Sequence, residues 1–147
     1  MRFNGRFLIG IFSIAILILI VIFNTQNPLP AQVCISETCF NLEIAETLQE
    51  KALGLSNRVS LPEDNGMLFI YSDDVPGFWM KDMNFPLDII WINSEMKVSE
   101  IVRGIEPCEP DFCPVVYPAE GVIYVLEINA GLSDLHGFQS GDAVYFK

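Results

Sequence analysis

One lysine and two carboxylates stand inside stretches that are otherwise apolar. Lys81 lies in FWMKDM, Asp88 between Leu87 and Ile89, and Glu127 between Leu126 and Ile128. An acid carried into an apolar layer needs a partner or gives up its charge. The three are therefore expected to converge on one polar cluster, within or at the mouth of the fold. Trp79 would add a flat face for a sugar or a cation. In a binding site, Trp79, Lys81, Asp88 and Glu127 would orient a small ligand. In an enzyme, Asp88 and Glu127 would be the acid and base of a hydrolase acting on envelope polysaccharide, which needs the two carboxyls ~5 to 9.5 Å apart. The plainer reading is that both acids satisfy backbone donors, since structural networks perturb acids as sites do.

Other chemistries have thinner support. Met80 and Met83, with Met67 upstream and His136 as the single histidine, make a soft ligand set suited to copper. In one strand, however, positions 80 and 83 point to opposite faces, and methionines serve core packing more often. His136 has no serine or free thiol at a recognisable spacing, so no catalytic residue is assigned. Neither a phosphate loop nor a dinucleotide fingerprint occurs, and no cofactor is expected.

Four cysteines form two equally spaced pairs, Cys34 with Cys39 and Cys108 with Cys113. If Ser36 and Glu37 make a two-residue hairpin turn, Cys34 and Cys39 face each other where side chains come closest. Local disulfides are expected, although four cysteines allow three connectivities. A four-thiolate zinc site is the competing reading. It prefers reducing surroundings and a tighter gap between ligands.

The elements that must hold these residues read as mostly strand. Phe40, Leu42 and Ile44 alternate with Asn41, Glu43 and Ala45, the period of a half-buried strand. Thr47 followed by Glu50 is a capping-box pattern. It opens a two-turn helix, ended by Gly54, whose Leu48, Ala52, Leu53 and Leu55 share the side laid over the sheet. MLFIY (67–71) and FWMKDM (78–83) read as a hairpin. Trp79, Lys81 and Met83 then share one strand face, and Phe78, Met80 and Asp82 the other. PLDIIWI (86–92), MKVSEIVR (96–103), GVIYVLEIN (121–129) and a terminal AVYF (143–146) add strands, with a short helix over 130–136. The strands are close to continuously apolar, which implies burial on both faces. The expected fold is mainly β, a compact antiparallel barrel with one or two short helices.

ALGLSNRVSLPEDNGMLFIY, FWMKDMNFPLDIIWI, the cysteine-bearing loop before Tyr117 and VLEINAGLSDLHGFQSGDAV together resemble the domain of unknown function 192 family. The resemblance covers residues 40–146, and FWMK with PLD carries most of its specificity. It implies small exported or membrane-anchored bacterial or archaeal proteins, a β-barrel-like domain and no established activity. The family commonly has Asn-Thr where this chain has Asp82 and Met83, so no mechanism rests on those two positions.

Placement follows from the leader. Phe7 to Phe23 is 17 residues without a charge, preceded by Arg2 and Arg6. As a helix it spans ~26 Å, near the ~30 Å of a hydrocarbon core, and the basic flank stays cytoplasmic. Small residues before a cleavage point are lacking, as is the small residue a lipoprotein needs before Cys34. The expected organisation is a signal anchor over 1–24, a tether over 25–32 and an extracytoplasmic domain over 33–147, single-pass with the N-terminus inside. The alternative is secretion after cleavage. The whole chain carries −11. Without residues 1–24 it loses two arginines and no acid, leaving 6 basic against 19 acidic residues, or −13. Such a surface excludes nucleic acid as a partner. The expected partners are the bilayer, through residues 7–23, and a small ligand or an envelope protein. A copper-binding module and the polysaccharide hydrolase are the alternatives.

Overall fold

The structure, a computed structural model, describes residues 30–72, 75–109, 111–118 and 121–147. The apolar leader over 1–24 and most of the tether lie outside the described residues. Among those that are described, no helix is long and apolar enough to cross a membrane.

In chain order the elements are β1 (Gln32–Ile35), β2 (Thr38–Ala45), α1 (Leu48–Leu53), β3 (Asn65–Ile70), β4 (Phe78–Trp79), β5 (Leu87–Asn93), β6 (Val98–Ile105), β7 (Val115–Val116), β8 (Val122–Asn129), α2 (Leu132–Leu135) and β9 (Val144–Phe146). Seven strands form one sheet in the order β6-β5-β8-β3-β2-β1-β9, and β4 and β7 form a separate pair. The fold is mainly β, a sheet curled into a half-barrel. Its two edges meet at one end only, where the Val98 N–H donates to the Asp142 carbonyl and the Val144 N–H to the Met96 carbonyl, each at 2.9 Å.

Two features differ from the expected antiparallel barrel. The sheet does not close along its length, and β2 and β3 run parallel, Asn41 beside Asn65 and Ala45 beside Phe69. A parallel neighbour requires a crossover of about a dozen residues or more. Helix α1 and the turn before β3 provide it within a segment too short to announce a repeating strand–helix unit. The 67–71 and 78–83 segments do not form a hairpin either: β3 pairs with β2 and β8, and β4 with β7.

Alternation along the central strands divides the interior in two. All seven strands send residues such as Val33, Phe40, Leu68, Ile90, Val98, Leu126 and Val144 into the inside of the curl, with Leu132 and Phe138 packed against them. The opposite face of β3, β8 and β5 carries Met67, Phe69, Ile89, Trp91 and Val125, covered by Phe78 of β4 and by Leu55, Leu61 and Met80 from connecting segments. Strand β5 is buried over Leu87–Ile92, as its continuous apolar run implied. Gly66 is where β3 comes closest to β8: a Cβ there would meet Leu126 Cδ1 at 2.9 Å and the Glu127 carbonyl at 3.1 Å.

Both cysteine pairs are disulfides, Cys34–Cys39 and Cys108–Cys113. Cys34 and Cys39 lie opposite each other in the β1–β2 register, with Ser36 taking the left-handed conformation in the turn (φ 54°). The thiols are bonded to one another, so the four-thiolate zinc alternative is corrected.

Candidate functional site

The site lies on the outer face of the half-barrel. Thr47 caps α1 reciprocally with Glu50: the Glu50 N–H donates to Thr47 Oγ1 at 3.2 Å, and the Thr47 N–H donates to Glu50 Oε2 at 2.9 Å. Hydrogen bonds from the Thr47 backbone and side chain, and from the Glu46 N–H at 3.1 Å, hold the Glu50 carboxyl below the usual carboxylate range. The segment after α1 is held to β2 by a two-pronged Arg58–Glu43 pair, both contacts at 2.7 Å. The guanidinium lowers the Glu43 carboxyl, and Glu43 in turn raises Arg58. The opposing wall comes from β4 and the turn after it. Ser56 Oγ donates to the Lys81 carbonyl at 3.0 Å, and the Asn57 N–H to the Asp82 carbonyl at 2.7 Å. The Cys108–Cys113 loop touches the same wall, where the Cys108 N–H donates to the Met80 carbonyl at 3.4 Å.

Between these walls is a cavity of 330 Å³, lined by α1 and its exit, by Phe69, Tyr71, Phe78, Trp79, Met80 and Met83, and by Glu127. A largely apolar hollow of this size with a few polar groups is the usual form of a small-ligand site. Glu127 is its one buried carboxylate. Strand alternation places it with Val125 on the outer face, paired with Met67 of β3 and Ile89 of β5. It is 6% exposed, and no protein group among the described residues donates a hydrogen bond to its carboxyl or pairs with it. Burial pushes the carboxyl up to about 8. Tyr71 is raised to about 12, first by burial and then by the Glu127 charge. On α1, Lys51 donates through Nζ to the Ile70 carbonyl and stands 4.3 Å from the Tyr71 ring centroid.

The rim is apolar and open. Leu48 is 88% exposed, Leu53 58% and Trp79 55%. This departs from the expected helix laid apolar side down. Only Leu55, beyond the Gly54 cap, is buried, because the helix bridges one edge of a hollow and has no surface beneath it to fill.

Of the four expected ligand-contacting residues, Trp79 and Glu127 meet at this cavity. Lys81 does not line it; it is exposed, with Nζ 5.6 Å from the Trp79 ring centroid. Asp88 lies on the inside of the curl, paired across the sheet with Ile128, one position from the Ile89–Glu127 pair. Neighbouring positions in a strand point to opposite faces, so the Lys81–Asp88–Glu127 cluster is corrected. Asp88 is fully buried and accepts from the Gly104 N–H at 2.8 Å and the Ser133 N–H at 2.9 Å, the plainer role weighed for it. Asp88 and Glu127 cannot flank one glycosidic bond, and the two-carboxylate hydrolase is corrected with the cluster.

Strand β4 also ends at Trp79. Asp82 takes a left-handed conformation (φ 58°), which breaks the alternation expected through Met83. As a result Met80 and Met83 both line the cavity and Met67 packs in the same layer. His136 belongs elsewhere, stacked on Phe138 at 5.6 Å on the other side of the sheet, so the four-residue copper set does not assemble. No cluster of His, Cys, Asp and Glu suited to a metal occurs among the described residues. Sequence reasoning missed Tyr71 and Lys51. The available signal was Lys51 standing among Leu48, Ala52 and Leu55.

Fold and site together define a small, mainly β half-barrel domain with an apolar cavity outside the sheet. The chain belongs to the DUF192 family, described as an uncharacterized ACR, whose model matches residues 31–146. No curated protein matches it. Two solved structures are similar. A protein of unknown function from Novosphingobium aromaticivorans has 31% identity and a TM-score of 0.73, covering 83% of this chain and 89% of that one. A Sinorhizobium meliloti protein given a candidate role as a transcription regulator has 27% identity and a TM-score of 0.70, covering 78% of this chain and 90% of that one.

Proposed function

We propose that this protein is a membrane-anchored, extracytoplasmic binding domain whose cavity holds a small, largely apolar ligand. The observation that carries the reading is Glu127, buried without a partner among the described residues and lining a 330 Å³ hollow walled by aromatic and methionine side chains. Burial disfavours the charged form of this carboxyl, and because it opens on the hollow a bound molecule can supply the partner that the charge needs. The uncharged apolar run over 7–23 with its basic flank, and the two disulfides, support the outer face of a membrane as the setting. The regulator role described for the Sinorhizobium protein is not carried over, because the acidic balance beyond the leader does not favour a phosphate backbone.

A second reading, an envelope protein seated on the rim, is favoured by the exposure of Leu48, Leu53 and Trp79. The two are separated by native mass spectrometry of the full chain released from detergent micelles. The expected result is a noncovalent adduct of small-molecule mass on the wild type and none on Met83→Trp, which fills the hollow. A folded wild-type chain that carries no adduct, from membranes of its own cells, would overturn the ligand reading.

A further inference from the structure

The cavity's polar groups point to the chemistry of its ligand. Among the described residues Lys51 is the only basic residue of the lining, and its ammonium is already engaged by the Ile70 carbonyl and the Tyr71 ring. It forms no ion pair with Glu127, and the ion pairs among the described residues lie elsewhere. Glu127 is thus an acid at the cavity without a counter-charge among the described residues. Around it stand Phe78 and Trp79, with Tyr71 beside them, and ring faces attract ammonium groups. Both lysines at this end of the molecule, Lys51 over Tyr71 and Lys81 over Trp79, already use that attraction.

We propose that the cavity is a site for an organic ammonium compound, with its apolar body along Phe78, Met80 and Met83 and its cationic nitrogen paired with the Glu127 carboxylate. The proposal rests on the ligand-binding reading above and deepens it. The acidic surface of the domain raises the local concentration of such a cation. Among the described residues, the titratable and charged groups that share the cavity with Glu127 are Tyr71 from β3 and Lys51 from α1; β5 and the neighbouring part of β8 bring hydrophobic side chains, of which Trp91 carries a buried indole N–H without a partner. Glu127 is held mostly protonated at neutral pH. Binding a cation then ionises it and releases its proton to solvent, so affinity rises with pH and levels off above about 8.

The test uses the full chain in a nonionic detergent, with methionine methyls labelled so that Met83 reports on the cavity by NMR. The probes are benzyltrimethylammonium, its neutral isostere neopentylbenzene and the anion phenylacetate. At pH 8.5 the cation is expected to bind at least about tenfold more tightly than the neutral isostere. That advantage should shrink by pH 6 and vanish in Glu127→Gln. The pH dependence of the wild type alone carries the test if the variant does not fold. Equal affinity for cation and neutral isostere at pH 8.5, or tightest binding by phenylacetate, would overturn the ammonium assignment and leave the ligand cavity standing. If none of the three moves Met83, both the assignment and the cavity's binding role fail.

Discussion

Asp88 and Glu127 were equivalent as residues in a sequence, each an acid between two apolar neighbours. In the fold they do opposite things. Asp88 has both carboxyl oxygens bonded to backbone N–H groups, whereas Glu127 accepts none from the described residues and is pushed up to about 8. The pH consequence follows from linkage. In the unfolded chain Glu127 titrates near 4.5, so between about 4.5 and 8 the native state holds a proton that the unfolded state has lost. Stability therefore falls as pH rises through that window, by at most ~1.4 kcal/mol for each pH unit. Glu127→Gln removes this slope. Urea unfolding of both proteins from pH 5 to 8 should show the variant gaining on the wild type as pH rises. A constant difference would mean that Glu127 is ionised throughout.

At the scale of elements, Asp88 is a fastener. It joins three pieces: its own strand β5, the left-handed turn of β6 at Gly104 (φ 58°) and the second residue of α2. Asp88→Ala strands two backbone donors in a buried place, at a cost of about 2–4 kcal/mol. Asp88→Asn, which keeps one acceptor oxygen, should lose less. The measurement is the urea midpoint, with the Met83 methyl signal unchanged in the folded state because Asp88 faces the other side of the sheet. A shift of Met83 would mean that the two faces are coupled. Most elements were legible in the chain. The Thr47–Glu50 capping box, the Gly54 stop and the Cys34–Cys39 hairpin are local, and they follow from spacings of a few residues. The early end of β4 was not legible, because the left-handed turn at Asp82 is stabilised by the Asn57 amide, distant in sequence.

For the whole molecule, the proposed placement at a membrane makes its own prediction. The full chain should stay with the membrane fraction after carbonate washing and be released when residues 1–24 are deleted, as read by immunoblot. Release of the full-length chain would overturn the anchor, and release of a shortened chain would point to cleavage of the leader. Composition and spacing alone determined a mainly β domain, its acidic surface, the local cysteine pairs and the family it resembles, because each depends on residues adjacent in the chain or on totals over it. Only the tertiary structure decided that β2 and β3 lie parallel and that the sheet stays open along one side. It also decided that Trp79 meets Glu127 while Asp88 turns away. These outcomes depend on which strands become neighbours and on which face of a shared sheet a side chain emerges. In β8 and β5, a shift of one position separates a carboxyl fastened to backbone amides from one that opens into a hollow.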